Sequence, residues 1–108
     1  MKASYWQRGE ALDYKNTTTS TIPANTVIPL VTRIGIAGND IEPGQTGTIH
    51  VTGVFEMPKV DADEISMGTL VYFSEDGITA TSDGNVSAGY AAQDSAADAK
   101  TILVKLLG

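Results

Sequence analysis

The side chains that could do chemistry are few, and their spacing does not suit the chemistries they would serve. His50 is the only histidine and there is no cysteine, so a zinc site built from His and Cys cannot be assembled and a triad has one imidazole to draw on. His50 lies between Ile49 and Val51 and shares its parity with Thr48 and Thr52. An exposed or hydrogen-bonded strand histidine accounts for it better than a pH-sensitive contact or a proton-transfer role. Asp61, Asp63 and Glu64 form the one tight acidic cluster. A calcium loop would need further oxygen ligands and a central glycine at fixed spacing, so a solvated acidic turn is preferred to an electrostatic contact or an ion site. The stretch Glu42-Pro43-Gly44-Gln45-Thr46-Gly47-Thr48 has the glycines of a phosphate cradle but neither its lysine nor a helix to follow. Ser66, Ser74, Ser82, Ser87 and Ser95 have no Gly-x-Ser-x-Gly setting. The reading is a protein that is not an enzyme, with no catalytic, cofactor-binding or metal-ligating residues.

The elements that would position any site must come from 108 residues, enough for one domain and one modest core. Seven Lys and Arg face thirteen Asp and Glu for a net charge of -6, and the basic residues Lys2, Arg8, Lys15, Arg33, Lys59, Lys100 and Lys105 stand singly. Without a cationic stripe, nucleic acid is a poor partner. The opening residues lack the apolar run of a signal peptide, and no stretch approaches the roughly 20 apolar residues of a membrane span. The expectation is therefore a protein made in the cytosol, with no membrane partner. The triplets Asn16-Thr17-Thr18 and Asn85-Val86-Ser87 match a glycosylation signal by chance under that expectation.

Residues 1–20 read as an extended N-terminal arm. Tyr5, Trp6 and Tyr14 stand among polar residues there, and aromatic side chains placed so imply that the arm lies on its own domain or on a neighbour. Residues 21–108 read as a single β-rich domain. Pro29 places the stretch from Val27 to Val31 at a sheet edge or bulge, because proline gives no N–H to a ladder. Arg33 to Ala37 forms a second short strand. Glu42-Pro43-Gly44-Gln45 suits a type II turn, with Pro fixing φ and Gly tolerating a positive φ. Gly47 to Phe55 reads as one strand, with Ile49, Val51 and Phe55 on one face, a possible bend at Gly53, and an end at Glu56-Met57-Pro58-Lys59. Gly68 to Ser74 and Ile78 to Thr81 flank an Asp76-Gly77 hairpin signal. Val86 to Ala92 and Lys100 to Leu107 complete the set, the last with Ile102, Val104 and Leu106 on one face. Short strands separated by Gly, Pro, Asn and Asp point to an all-β fold, a small antiparallel barrel or sandwich.

Several blocks of the chain taken in order carry a likeness. Met1 to Tyr5, Gly9 to Tyr14, the long block from Ile41 to Lys59, Gly68 to Tyr72, Gly89-Tyr90-Ala91 and Ile102 to Leu106 together resemble the tailed-phage and prophage capsid cement, or head decoration, proteins. Many members of that family have carried the label of a predicted recombinase of the RecA/RadA type. A RecA-like ATPase needs a nucleotide loop with its lysine on an α/β core, and neither is found in this sequence. What the resemblance implies is a structural virion protein. It would bind the outer capsid surface, stabilise contacts between major capsid protein subunits, and be synthesised in the bacterial host cytoplasm. Its partners would be the major capsid protein and further copies of itself, as a homotrimer in preference to a dimer. Candidate capsid or intersubunit contacts are Tyr5, Trp6, Tyr14, Phe55, Met57, Tyr72 and Tyr90. A tail or fibre accessory protein and a carbohydrate- or peptide-binding β module are the alternatives.

Overall fold

The computed structural model describes residues 1–107. It is all-β, with two antiparallel sheets. Strands β1 (Ala11–Lys15), β2 (Val27–Pro29), β3 (Ile34–Ala37) and β4 (Thr46–His50) make the first, in the order β1-β4-β3-β2. Strands β5 (Val54–Pro58), β6 (Leu70–Ser74), β7 (Gly77–Thr79), β8 (Val86–Ala91) and β9 (Thr101–Lys105) make the second, in the order β5-β9-β8-β6-β7. The outer strands β5 and β7 meet just past Pro58, where the Val60 N–H donates to the Ile78 carbonyl at 3.0 Å. No helix long and apolar enough to cross a membrane occurs among the described residues.

Pro29 lies on β2, an edge strand where its missing N–H leaves no ladder partner unsatisfied. Pro58 is tolerated for the same reason: it is the last residue of β5, opposite Thr101, at the other sheet's edge, so the run ends there as expected. The β6–β7 hairpin turns through Glu75-Asp76, pairing Ser74 with Gly77. The expected turn at 42–45 also forms, with the Gln45 N–H donating to the Glu42 carbonyl and Gly44 at φ +78°.

Two sequence readings need correction. The run from Gly47 to Phe55 is two strands in different sheets, broken at Val51-Thr52-Gly53, where Gly53 takes φ +115°. Ile49 and Val51 therefore pack with Ile28, Ala37 and Ile41 in one core, while Phe55 packs against another containing Met57, Val71, Ile78, Val104 and Leu106. Alternation survives the break because the chain changes sheet without changing parity. The segment 1–20 is also not uniform, since residues 11–15 pair with β4 and residues 1–9 precede that strand without regular structure.

Asn16 ends that segment fully buried. Its Nδ2 donates to the Ser20 and Ile41 carbonyls, each at 2.8 Å, and its Oδ1 accepts from the Thr18 N–H and hydroxyl. Removing such an amide takes one of two donors from each of the Ile41 and Ser20 carbonyls, which keep the Ile22 N–H and the Thr18 hydroxyl, and leaves the part-buried Thr18 N–H without its acceptor. Asn16→Ala should cost about 2 kcal/mol in urea denaturation, whereas Thr17→Ala, at an exposed neighbour, should leave the midpoint unchanged.

The two sheets are copies of one design. In the first, Val27 pairs with Ile36, Ile36 with His50 and His50 with Ala11. In the second, Leu70 pairs with Tyr90, Tyr90 with Lys105 and Lys105 with Val54. The loops repeat as well. Ile22 bridges Ile41 as Ile65 bridges Ser95. The Ala24 N–H donates to Asp40 Oδ1 at 2.8 Å, as the Met67 N–H does to Asp94 Oδ1 at 2.7 Å. The third turn residue has positive φ in all four places, Asn25, Gly44, Gly68 and Asp98. Even the buried polar residue after the first strand recurs, Asn16 in one half and Lys59 in the other, whose Nζ donates to the Ala96 carbonyl. The chain is thus a tandem duplication of a four-stranded unit, with β7 added to the second copy.

Candidate contact surface

The residues with possible chemistry are either spent on local structure or exposed singly. Asp61 accepts from the Thr79 hydroxyl at 2.8 Å and from the Ala80 N–H at 2.9 Å, which fixes the turn after β7. Asp63 and Glu64 are exposed beside it. His50 is exposed and tilted against Phe55, the ring centroids 6.3 Å apart. Ser74 donates to the Gly77 carbonyl within its own hairpin. No group of three or more His, Asp or Glu close enough to hold a metal ion exists among the described residues. The cleft between the sheets, about 260 Å³, is lined by Val27, Met57, Pro58, Phe73 and Ile78 together with the hairpin residues Ser74 to Gly77. Those walls can hold an apolar side chain, and the one hydroxyl in the lining, that of Ser74, is the one spent on the Gly77 carbonyl.

The seven candidate contact residues fall into three settings. Tyr5 and Trp6 are 82% and 89% exposed on the free N-terminal segment, touching no core. Tyr14, Phe55, Tyr72 and Tyr90 are half-buried, Tyr14 against the first core and Phe55 against the second. Met57 is only 3% exposed and belongs to the second core. The structure does not bring the seven to one patch.

It does form a surface of which the sequence reading named Tyr90 alone. Leu70, Tyr90, Lys105 and Val54 lie in one cross-strand row over four strands of the second sheet, so their side chains share a face. Leu70 and Val54 are each more than half exposed. The signal was present in the β9 alternation: if Ile102, Val104 and Leu106 point inward, Lys105 must point outward with whatever pairs beside it. Alternation does not say which strands flank β9, so Tyr90 could be named as a candidate contact only without its row neighbours Leu70 and Val54.

A surface of aromatic and aliphatic residues on a twin-sheet scaffold is suited to contact, and the family comparison agrees. A family model described as "Phage cement protein" matches residues 6–106. The chain belongs to the phage cement protein family. No curated protein and no solved structure matches it. The match spans both copies of the duplicated unit, so membership in the phage cement family covers the whole twin-sheet design. The chain is accordingly a structural or binding β protein of phage type.

Proposed function

We propose that this protein binds the outer surface of an assembled phage head and holds neighbouring major capsid protein subunits together. The observation that carries the proposal is the family match over residues 6–106. The physical route needs no bond to be made. A protein that binds the assembled lattice but not dispersed subunits shifts the equilibrium toward the intact shell by linkage. Several modest contacts made at once act at high effective concentration and add to strong attachment.

The exposed aromatics Tyr5 and Trp6 supply the reach, since residues 1–9 leave the sheet and carry both side chains into solvent. The net charge of -6 disfavours contact with packaged DNA and favours basic patches on a protein partner. In this reading the protein is made in the host cytoplasm, resides on the virion exterior and acts as a homotrimer.

The test is direct. Purified protein is mixed with mature heads lacking it, and the mixture is pelleted and imaged by electron microscopy. The expected result is saturable co-pelleting and regular external density over capsid subunit junctions, with heads that survive heating longer. Heads that stay bare at saturating protein would reject the proposal, and density confined to the tail would favour an accessory role there.

A further inference from the structure

The element added to the second unit is the one that builds the cleft between the sheets. In the first unit β2 and β3 are joined by residues 30–33, whereas in the second β6 and β8 are joined by residues 75–85, which carry β7. The added residues are held firmly. The Ser74 hydroxyl closes the hairpin onto the Gly77 carbonyl, and the hairpin approaches the end of β5 so closely that a Cβ at Gly77 would lie 2.9 Å from the Pro58 carbonyl oxygen and 3.0 Å from Val60 Cγ1. Asp61 ties down the end of β7 through the Thr79 hydroxyl and the Ala80 N–H. The cleft is therefore formed before anything enters it, which spares a ligand the entropy of ordering its site.

Size and charge decide what it suits. At about 260 Å³ the cleft is smaller than the roughly 300–1,000 Å³ of small-molecule sites, so it fits a single side chain delivered by another polypeptide. Of its lining residues, Met57 and Ile78 are buried, and Val27 and Phe73 are half-buried. Glu75 and Asp76 also belong to the lining and are exposed. Neither carboxylate has a hydrogen-bond or ion-pair partner among the described residues. Two adjacent carboxylates beside an apolar cleft are complementary to an apolar group that carries a cation next to it.

We propose that this cleft docks an exposed segment of a partner protein that presents one large apolar side chain, leucine in kind, next to a lysine or arginine. The apolar side chain packs on Met57, Phe73 and Val27, and the basic one pairs with Glu75 or Asp76. The inference rests on the function proposed above in assigning that segment to the head subunit, where the cleft adds one more contact to those of the exposed aromatic arm.

Glu75→Gln combined with Asp76→Asn removes both charges at exposed positions and keeps side-chain size. Asp63→Asn combined with Glu64→Gln makes the same charge change at exposed positions outside the cleft and serves as the control. Co-pelleting with heads that lack the protein should show roughly tenfold weaker binding for the first pair, the sum of two exposed ion pairs, and an unchanged Kd for the control. Added salt should weaken the wild type more than the first pair. Separately, isotope-labelled wild-type protein is titrated in NMR with acetyl-Lys-Leu-Lys-amide to millimolar concentration, and with the same peptide carrying alanine for leucine or glutamates for lysines. The first peptide should move the amide signals of Val27 and residues 73–78 more than either of the others. Equal head binding by the wild type and the first pair would overturn this inference and leave the proposed function standing. Cleft amides unmoved by the lysine-leucine peptide would overturn it as well. Heads that stay bare with wild-type protein, beside a peptide that moves those amides, would uphold the chemistry of the cleft and remove only the head as the source of its partner.

Discussion

Gly89→Ala is expected to remove about 4 kcal/mol of stability, most of the margin of a domain this small. Gly89 sits at φ +139°, a conformation that L side chains rarely adopt, and a Cβ there would run into the backbone carbonyl of Lys105 on the neighbouring strand. Backbone cannot rotate away as a side chain can, so β8 and β9 would have to part in the middle of their sheet. Its counterpart in the duplicated unit provides the comparison. At Gly35 the added Cβ would meet the Ile49 Cδ1 at 2.9 Å, a flexible side-chain end, and φ is not positive. Gly35→Ala should therefore cost about 1 kcal/mol, within the range of modest overpacking. Urea denaturation of the two variants checks both values. Equal losses would show that the β8–β9 contact is looser than described.

Removing residues 2–9 is expected to lower head occupancy by roughly thirtyfold in Kd while leaving the melting temperature unchanged. Aromatics that become buried at an interface often contribute about 1 kcal/mol each, and the roughly 2 kcal/mol lost with Tyr5 and Trp6 together corresponds to roughly that factor in affinity. Stability should not follow, because the first strand begins at Ala11 and Tyr5 and Trp6 touch no core. Trp6 is the only tryptophan, so its fluorescence in the intact protein reports the arm alone. Its emission should shift to the blue when heads are added. Unchanged occupancy after truncation, together with an unshifted emission, would place the contact elsewhere on the molecule.

How much of this could be read from the residues depended on whether the signal was local. Ile102, Val104 and Leu106 on β9, the Asp76-Gly77 hairpin and Pro29 at an edge each follow from a few neighbouring side chains. The sheet change at Val51-Thr52-Gly53 did not, because the alternation of Ile49, Val51 and Phe55 runs through it unbroken. Tyr5 and Trp6 could be picked out as aromatics in a polar setting. Met57 could not be separated from them, since its burial depends on Ile102 across the sheet.

The duplication left a faint trace in the recurring Ile-x-x-(Asn or Gly) of Ile22–Asn25, Ile41–Gly44 and Ile65–Gly68, and in Gly35-Ile36-Ala37 beside Gly89-Tyr90-Ala91. The added strand β7 and the extra residue before β9 shift the spacing between the halves. A fixed period therefore does not reveal it.

The passage of the chain from one sheet to the other at Val51-Thr52-Gly53 bears on how the molecule comes off the ribosome. All four strands of the first sheet precede that point, and synthesis at roughly 5–20 residues per second leaves them several seconds before the second half has emerged. During that interval Val27 and Ile36 have no cover. The nascent half is thus a sticky intermediate that needs its own downstream sequence as a shield, and expressing residues 1–52 alone should yield aggregate.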